Sequence, residues 1–273
     1  MKKIIVATDF SPAAMNAAKY AADMAVSINA AILLLHTYQV PVTYSEVPVA
    51  VNLDEIQKNT ENKLLLIRDE LNSRTGNKIA IDISVKVGSF YPELKSLCET
   101  VLPYAVIMGS QGTTAAERLF FGGHAVYAMK HLPWPLITVP SNASFTAIKK
   151  IGLACDFNKV VETTPVDQIK TMMNDFHAEL HVLNTGKEGV YDPDIVFESG
   201  MLQELLASMK PAYHLLTHEN IDEGIMDFAD KNRLDLLVVL PKRHNLLDSL
   251  IHKSHTKQLV LHSHVPVMAL HQS

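Results

Sequence analysis

The chain carries one pattern twice. Residues 2–10 read KKIIVATDF and residues 149–157 read KKIGLACDF, identical at six of nine positions. NAAILLLHT (29–37) returns as HAELHVLNT (177–185), and HLPWPLITVP (131–140) as HSHVPVMALH (262–271). Three matches in the same order mark an internal duplication, so whatever the first copy folds into, the second must follow. The 273 residues then divide into two tandem domains, 1–143 and 147–273, each of ordinary domain size. The small, polar PSNASFTA (140–147) joins them as a linker.

Within the first copy, short β runs alternate with helical stretches. IIVAT (4–8) is continuously apolar, as a strand buried on both faces of a parallel sheet must be. Ser11 and Pro12 are start signals for an Ala-rich helix. Its residues Ala14, Ala17, Ala18, Ala21, Ala22 and Ala25 form a face small enough to lie close to a sheet. The segments 31–37, 78–88, 105–109 and 135–139 read as further strands, and 53–74, the PELKSLCETV stretch and 124–132 as helices. Strands separated by helices imply parallel crossovers. The fold class is therefore α/β: two tandem doubly wound, Rossmann-like domains, each with a roughly five-stranded parallel sheet. QVPVTYSEVPVAVN (39–52) lengthens the first copy and reads as an ordered loop or arm that packs on the other half.

Composition narrows the function. Hydrophobic residues make up 48% and charged residues 19%, which favours a compact fold over disorder. The net charge of −5 and the lack of a long Lys/Arg cluster argue against nucleic acid as a partner. The apolar run in MKKIIVATD is too short for a signal peptide or a membrane span. Cys98 and Cys155 show neither metal-ligand spacing nor a disulfide framework, which fits a cytoplasmic location.

In a doubly wound sheet the ligand crevice opens at the carboxyl ends of strands, where strand order reverses. Asp9 follows the first strand, and MGSQGTTAAERLFFGGH (108–124) contains the end of the fourth. Gly109 and Gly112 would let backbone approach a ribose or phosphate. Gly122 and Gly123, read as lying just before a helix that opens at His124, would aim free N–H groups at an anion. On spacing alone these glycines also read as plain turns, since the segment is neither a G-x-x-x-x-G-K-[ST] nor a G-x-G-x-x-G loop.

The G-x2-G-x9-G arrangement after an apolar strand ending in Met-Gly, together with the opening IIVATDFS and its Ala-rich helix, resembles the universal stress protein family. The likeness covers the first copy end to end and the second more faintly. In family members that bind ATP, the resemblance implies contacts to adenine from Asp9, with Ala7 beside it and Val40 lining the pocket. It implies contacts to ribose and phosphates from Met108, Gly109 and Gly112. The family's last element is Gly followed by a hydroxyl residue and another hydroxyl two positions on. Here Gly122, Gly123, His124 and Ala125 stand instead, so both side-chain donors are missing. His124 could replace a donor when protonated, and otherwise reads as a solvent-facing helix residue. The expected ligand is ATP or another adenine nucleotide, with Mg²⁺ only alongside it. The resemblance also implies an intramolecular pseudo-dimer of the two domains through their last strands; a homodimer is the further assembly consistent with it.

The second copy keeps Asp156 opposite Asp9 but places Leu240, Arg243 and Lys253 where Gly109, Gly112 and Gly122 stood, with Ser254 and Thr256 at the hydroxyl positions. Side chains should fill that crevice, and no nucleotide is expected there. His244, His252, His255, His262, His264 and His271 invite a metal reading, yet no Cys or acidic cluster completes a site, and no metal is expected. Met172, Met173, Met201, Met209, Met226 and Met268 read as core filler. Three functions remain in order: a non-catalytic stress-response protein with an adenine-nucleotide site in the first domain, a ligand-free interaction scaffold, and a weak ATPase. The last has no evident general base or Mg²⁺ carboxylate pair beside the loop.

Overall fold

The computed structural model describes residues 1–40, 52–110, 115–185, 193–241 and 255–272. In the first half, β1 (Lys3–Ala7), α1 (Pro12–Ser27), β2 (Ala31–Tyr38), α2 (Leu53–Thr75), β3 (Ile81–Val87), α3 (Phe90–Val101), β4 (Ala105–Gly109), α4 (Ala115–His131) and β5 (Leu136–Val139) follow one another. The second half repeats the scheme with β6 (Lys150–Ala154), α5 (Val160–Thr163), α6 (Val166–Phe176), β7 (Glu179–Thr185), α7 (Pro193–Leu206), β8 (Ala212–Leu216), α8 (Ile221–Asn232), β9 (Leu236–Val239), α9 (His255–His262) and β10 (Val267–Ala269). Of the arm read at 39–52, residues 41–51 lie outside the described residues.

All ten strands join one sheet in the order β3-β2-β1-β4-β5-β10-β9-β6-β7-β8. Pairing is parallel within each half and antiparallel at the junction, where Val267, Met268 and Ala269 face Thr138, Ile137 and Leu136. The order on one side of that junction mirrors the order on the other, as expected of a duplicated unit paired through its last strands.

The alternation of side chains along each strand divides the core into two layers. Ile4 and Val6 enter one layer with residues of α1, α2, α6 and α7, while Ile5 and Ala7 enter the other with residues of α3, α4, α8 and α9. Both layers cross the junction: Ile137 and Met268 lie in the first, and Leu136 and Val267 in the second. Met172, Met173 and Met268 are buried, and Met201, Met209 and Met226 pack against the core, as their reading as filler requires. Cys98 and Cys155 are buried and are not joined in a disulfide.

Helix α1 begins as its sequence dictates: Ser11 Oγ accepts from the Ala14 N–H at 3.2 Å, and a proline occupies the first turn. Ala17, Ala18, Ala21, Ala22 and Ala25 are fully buried, so the helix lies close against the sheet. The Arg74 guanidinium binds both oxygens of Asp23, at 2.9 and 2.7 Å, and ties α2 to α1. The linker is docked rather than loose. Asn16 Nδ2 donates to the carbonyls of Pro140 and Ala143 at 2.9 and 2.8 Å, and the Phe145 ring meets Tyr20 edge-on. Lys2 pairs with Asp175 on α6, adding an ionic contact between the halves.

Because both apolar layers are continuous across β5 and β10, the halves should unfold together. Met268→Ala, which empties part of a buried site at the junction, is expected to cost about 2–5 kcal/mol, read as a lower denaturant midpoint in a single transition. Two separate transitions would contradict the shared core.

Candidate functional site

Strand order reverses between β1 and β4, and a crevice enclosing about 160 Å³ opens at their carboxyl ends. Its walls come from the turn after β1, the start of α1, the end of β2, the first residue of α3, the end of β4 and one residue of α4. Ala7, Asp9, Met108, Gly109 and His124 all line it, so five of the residues singled out from sequence come together.

The turn after β1 is held by its own polar groups. The Ser11 N–H donates to Asp9 Oδ1 at 2.9 Å, and the Phe10 N–H to Thr8 Oγ1 at 3.1 Å. Phe10 adopts φ of 68°, a left-handed conformation that costs a bulky residue about 1–3 kcal/mol. Its counterpart Phe157 shares the conformation at φ of 50°, so the strained Asp-Phe turn belongs to the duplicated unit. Packing fixes the Phe10 ring: it lies 4.3 Å from the His36 ring, with the Lys63 ammonium 5.4 Å from its centre.

His36 was not legible as a site residue, yet it forms part of the crevice wall with Thr8, Ser11, Ala13, Ala14, Leu35, Thr37 and Phe90. Its Nδ1 lies 2.8 Å from the Thr8 carbonyl. A carbonyl only accepts, so Nδ1 carries the proton in the neutral ring. Burial lowers the His36 pKa from its ordinary value, opposed by the Thr8 carbonyl and the Asp9 charge. The signal in the sequence was a polar residue at the same place in both copies, His36 in LLLHT and Asn184 in HVLNT, where an apolar strand ends.

The remaining expected residues are placed differently. Val40, two residues past β2, is exposed and is not among those lining the crevice, because the strand presents Leu35, His36 and Thr37 instead. Gly112 lies outside the described residues. Helix α4 begins at Ala115 and not at His124, so Gly122 and Gly123 sit inside it and are not its free N-terminal turn. The physical reason is that the helix opens on Ala-Ala-Glu-Arg-Leu (115–119), all good helix formers, and two glycines weaken a helix without stopping it. Gly123 is exposed with nothing within 4 Å of where a Cβ would be. His124 is exposed, as a solvent-facing helix residue would be, and its ring also stands edge-on to Phe90 at 5.4 Å.

Gly109 has a structural duty. A Cβ there would lie 3.0 Å from the Ala13 carbonyl carbon, 3.1 Å from its oxygen and 3.2 Å from the Ala14 nitrogen. The missing side chain thus makes room for the backbone of α1. In the second half, Leu240 at this place packs against the core, and the counterpart of α1 is broken into α5 and α6 with Pro165 between them. Arg243, Lys253 and Ser254 lie outside the described residues, while Thr256 falls in α9.

Of the histidines singled out in the second half, His255, His264 and His271 each meet a different group, while His244 and His252 lie outside the described residues. His255 Nδ1 lies 2.8 Å from Asp222, His264 Nδ1 3.8 Å from Asp230, and His271 Nε2 2.9 Å from the Met129 carbonyl. His262 ends α9 and His264 sits in a bend, so the two do not lie on one extended strand face. Among the described residues no group of three or more His, Cys, Asp or Glu is arranged to hold a metal ion. No helix among them is long and apolar enough to cross a membrane.

Two glycine substitutions should separate packing from loop chemistry in the ligand-free protein. Gly109→Ala is expected to destabilise by about 1–3 kcal/mol through overpacking against α1. Gly123→Ala, in a helix with open space around it, should stabilise by up to about 1 kcal/mol. Thermal melts read both, and equal effects would contradict the placement of Gly123 within α4.

Comparison with known proteins agrees with this architecture. The model of the universal stress protein family matches residues 1–140 and again 147–271. A universal stress protein from Archaeoglobus fulgidus DSM 4304 has a similar solved structure, covering 99% of this chain and 96% of its own, with a TM-score of 0.72 at 14% identity. A functionally unknown protein from Pseudomonas aeruginosa PAO1 covers 99% and 92%, with a TM-score of 0.60 at 12% identity. At such identities the likeness is one of fold. None of the curated proteins matches the sequence. Two consecutive family matches on two mirrored five-stranded halves establish that the chain belongs to the universal stress protein family as a tandem two-domain member.

Proposed function

We propose that the protein is a non-catalytic stress-response protein whose first half binds an adenine nucleotide of the ATP type in the crevice between β1 and β4. The observation that supports this reading is the meeting of Ala7, Asp9, Met108, Gly109 and His124 in one crevice where strand order reverses. These residues fit the base end of such a ligand. Ala7, Leu35, Met108 and Phe90 offer apolar walls, and the Asp9 carboxylate offers an acceptor.

No Lys or Arg is among the described residues lining the crevice, so phosphates would rely on backbone N–H groups. In α4 those groups open at Ala115, at the helix N-terminus that follows β4. Mg²⁺ would enter only with the phosphates it neutralises. Asp9 is the one carboxylate among the described lining residues, and the Ser11 N–H already occupies one of its oxygens, which supports binding over hydrolysis.

A ligand-free scaffold is the second reading, favoured by one observation: the absence of a side chain at Gly109 is accounted for by α1 alone. Calorimetric titration with ATP, ADP and AMP distinguishes the two. Saturable binding is expected with the wild type. Asp9→Asn, which keeps an oxygen for Ser11 but loses the charge, should weaken it by about 10–100-fold, the worth of a charged hydrogen bond of ~1.5–3 kcal/mol. No heat from the wild type would sink the nucleotide reading in favour of the scaffold, and ATP turnover abolished by Asp9→Asn would overturn the non-catalytic one.

A further inference from the structure

We infer that His36 reads the nucleobase, accepting a hydrogen bond at Nε2 from the exocyclic amino group of adenine and so selecting an amino purine over a 6-oxo purine. This rests on the adenine-nucleotide reading above and assigns the source of its specificity.

The ring is oriented before any ligand arrives. Nδ1 donates to the Thr8 carbonyl at 2.8 Å, and Phe10 packs on the ring at 4.3 Å with the planes 33° apart. With Nδ1 committed as donor, Nε2 of the neutral ring is an acceptor only. Among the described residues Nε2 has no hydrogen-bond partner, and it is not a buried orphan. His36 is therefore a half-buried wall residue of the crevice with one acceptor left to use. Asp9, whose charge acts on the imidazole, is an acceptor in the same crevice.

The second half shows that the fold alone does not require an imidazole here. Ala154 pairs with Leu183 as Ala7 pairs with Leu35, so Asn184 is the counterpart of His36 and Cys155 that of Thr8. Asn184 Nδ2 donates to the Cys155 carbonyl at 2.9 Å, the same bond that His36 makes to Thr8. An amide is sufficient to hold the end of the first strand. The ring and its second nitrogen are additional, and they occur in the half that also has Gly109 and the crevice. A 6-oxo base would turn a carbonyl lone pair toward Nε2 and leave both acceptors unpaired, which costs more than a missing contact.

The test compares ATP with inosine triphosphate, which differs in carrying an oxygen for the amino group. Calorimetry on the wild type is expected to give a preference for ATP of about tenfold or more. His36→Asn can keep the bond to Thr8, as Asn184 makes it to Cys155, and gives up only the ring's packing on Phe10, so it should still fold while the preference falls to about threefold or less through weaker ATP binding. Equal wild-type affinity for the two nucleotides, or an undiminished preference in His36→Asn, would overturn the inference while leaving the nucleotide reading intact. Failure of the wild type to bind either would remove both. If His36→Asn does not fold, nitrogen NMR of the wild type decides: the Nε2 resonance of His36 should shift on saturation with ATP, and an unmoved resonance refutes the assignment.

Discussion

The contact between Gly109 and the Ala13–Ala14 backbone sets the shape of the first half. Because β4 ends in a residue without a Cβ, the N-terminal turn of α1 can rest on the strand end, with its nearest backbone atoms 3.0–3.2 Å from the position a Cβ would take. The buried alanines of α1 extend that close approach along the helix. The short connection from β1 to α1 then compresses into the Asp9-Phe10-Ser11 turn, which leaves the Asp9 carboxylate at the crevice. Where Leu240 takes the place of Gly109, the corresponding helix is interrupted. The absent side chain at Gly109 thus leaves room for the helix beside the crevice.

Antiparallel pairing of β5 with β10 joins the halves and also separates their possible sites. Strands run one way in the first half and the opposite way in the second, so the carboxyl ends of β1 and β4 lie at the other end of the sheet from those of β6 and β9. Duplication gave the molecule two switch points facing apart. The first retains the glycine and an imidazole; the second has Leu240 and Asn184. Such divergence is physically inexpensive because the shared core, not the crevices, holds the halves together.

Much of this was readable before the fold was known. Continuous apolar runs announced the strands, and Ser11-Pro12 placed the start of α1 to the residue. Asp9 and Gly109 could be placed because strand ends are where such sheets take ligands, and Met108 through the family resemblance. His36 and Phe90 escaped because their roles arise from register and crossing: β2 sets His36 beside the Thr8 carbonyl, and α3 brings Phe90 against His124 from a distant part of the chain. Val40 is not among the described lining residues for the converse reason, since distance along the chain from a strand end does not say which residues face inward. The start of α4 differs from the expected His124 because paired glycines read as the turn before a helix, although the residues ahead of them already carry it.

The central claim is that the first half holds a nucleotide by the base, between Asp9 and His36, with no help from a hydroxyl after Gly122. A crystal structure of the protein grown with ATP tests this most directly. The account predicts the adenine in the crevice at the carboxyl ends of β1 and β4, its amino group within hydrogen-bond distance of His36 Nε2, and the phosphates toward the start of α4. A nucleotide bound between β6 and β9, or with its base turned away from His36, would contradict it.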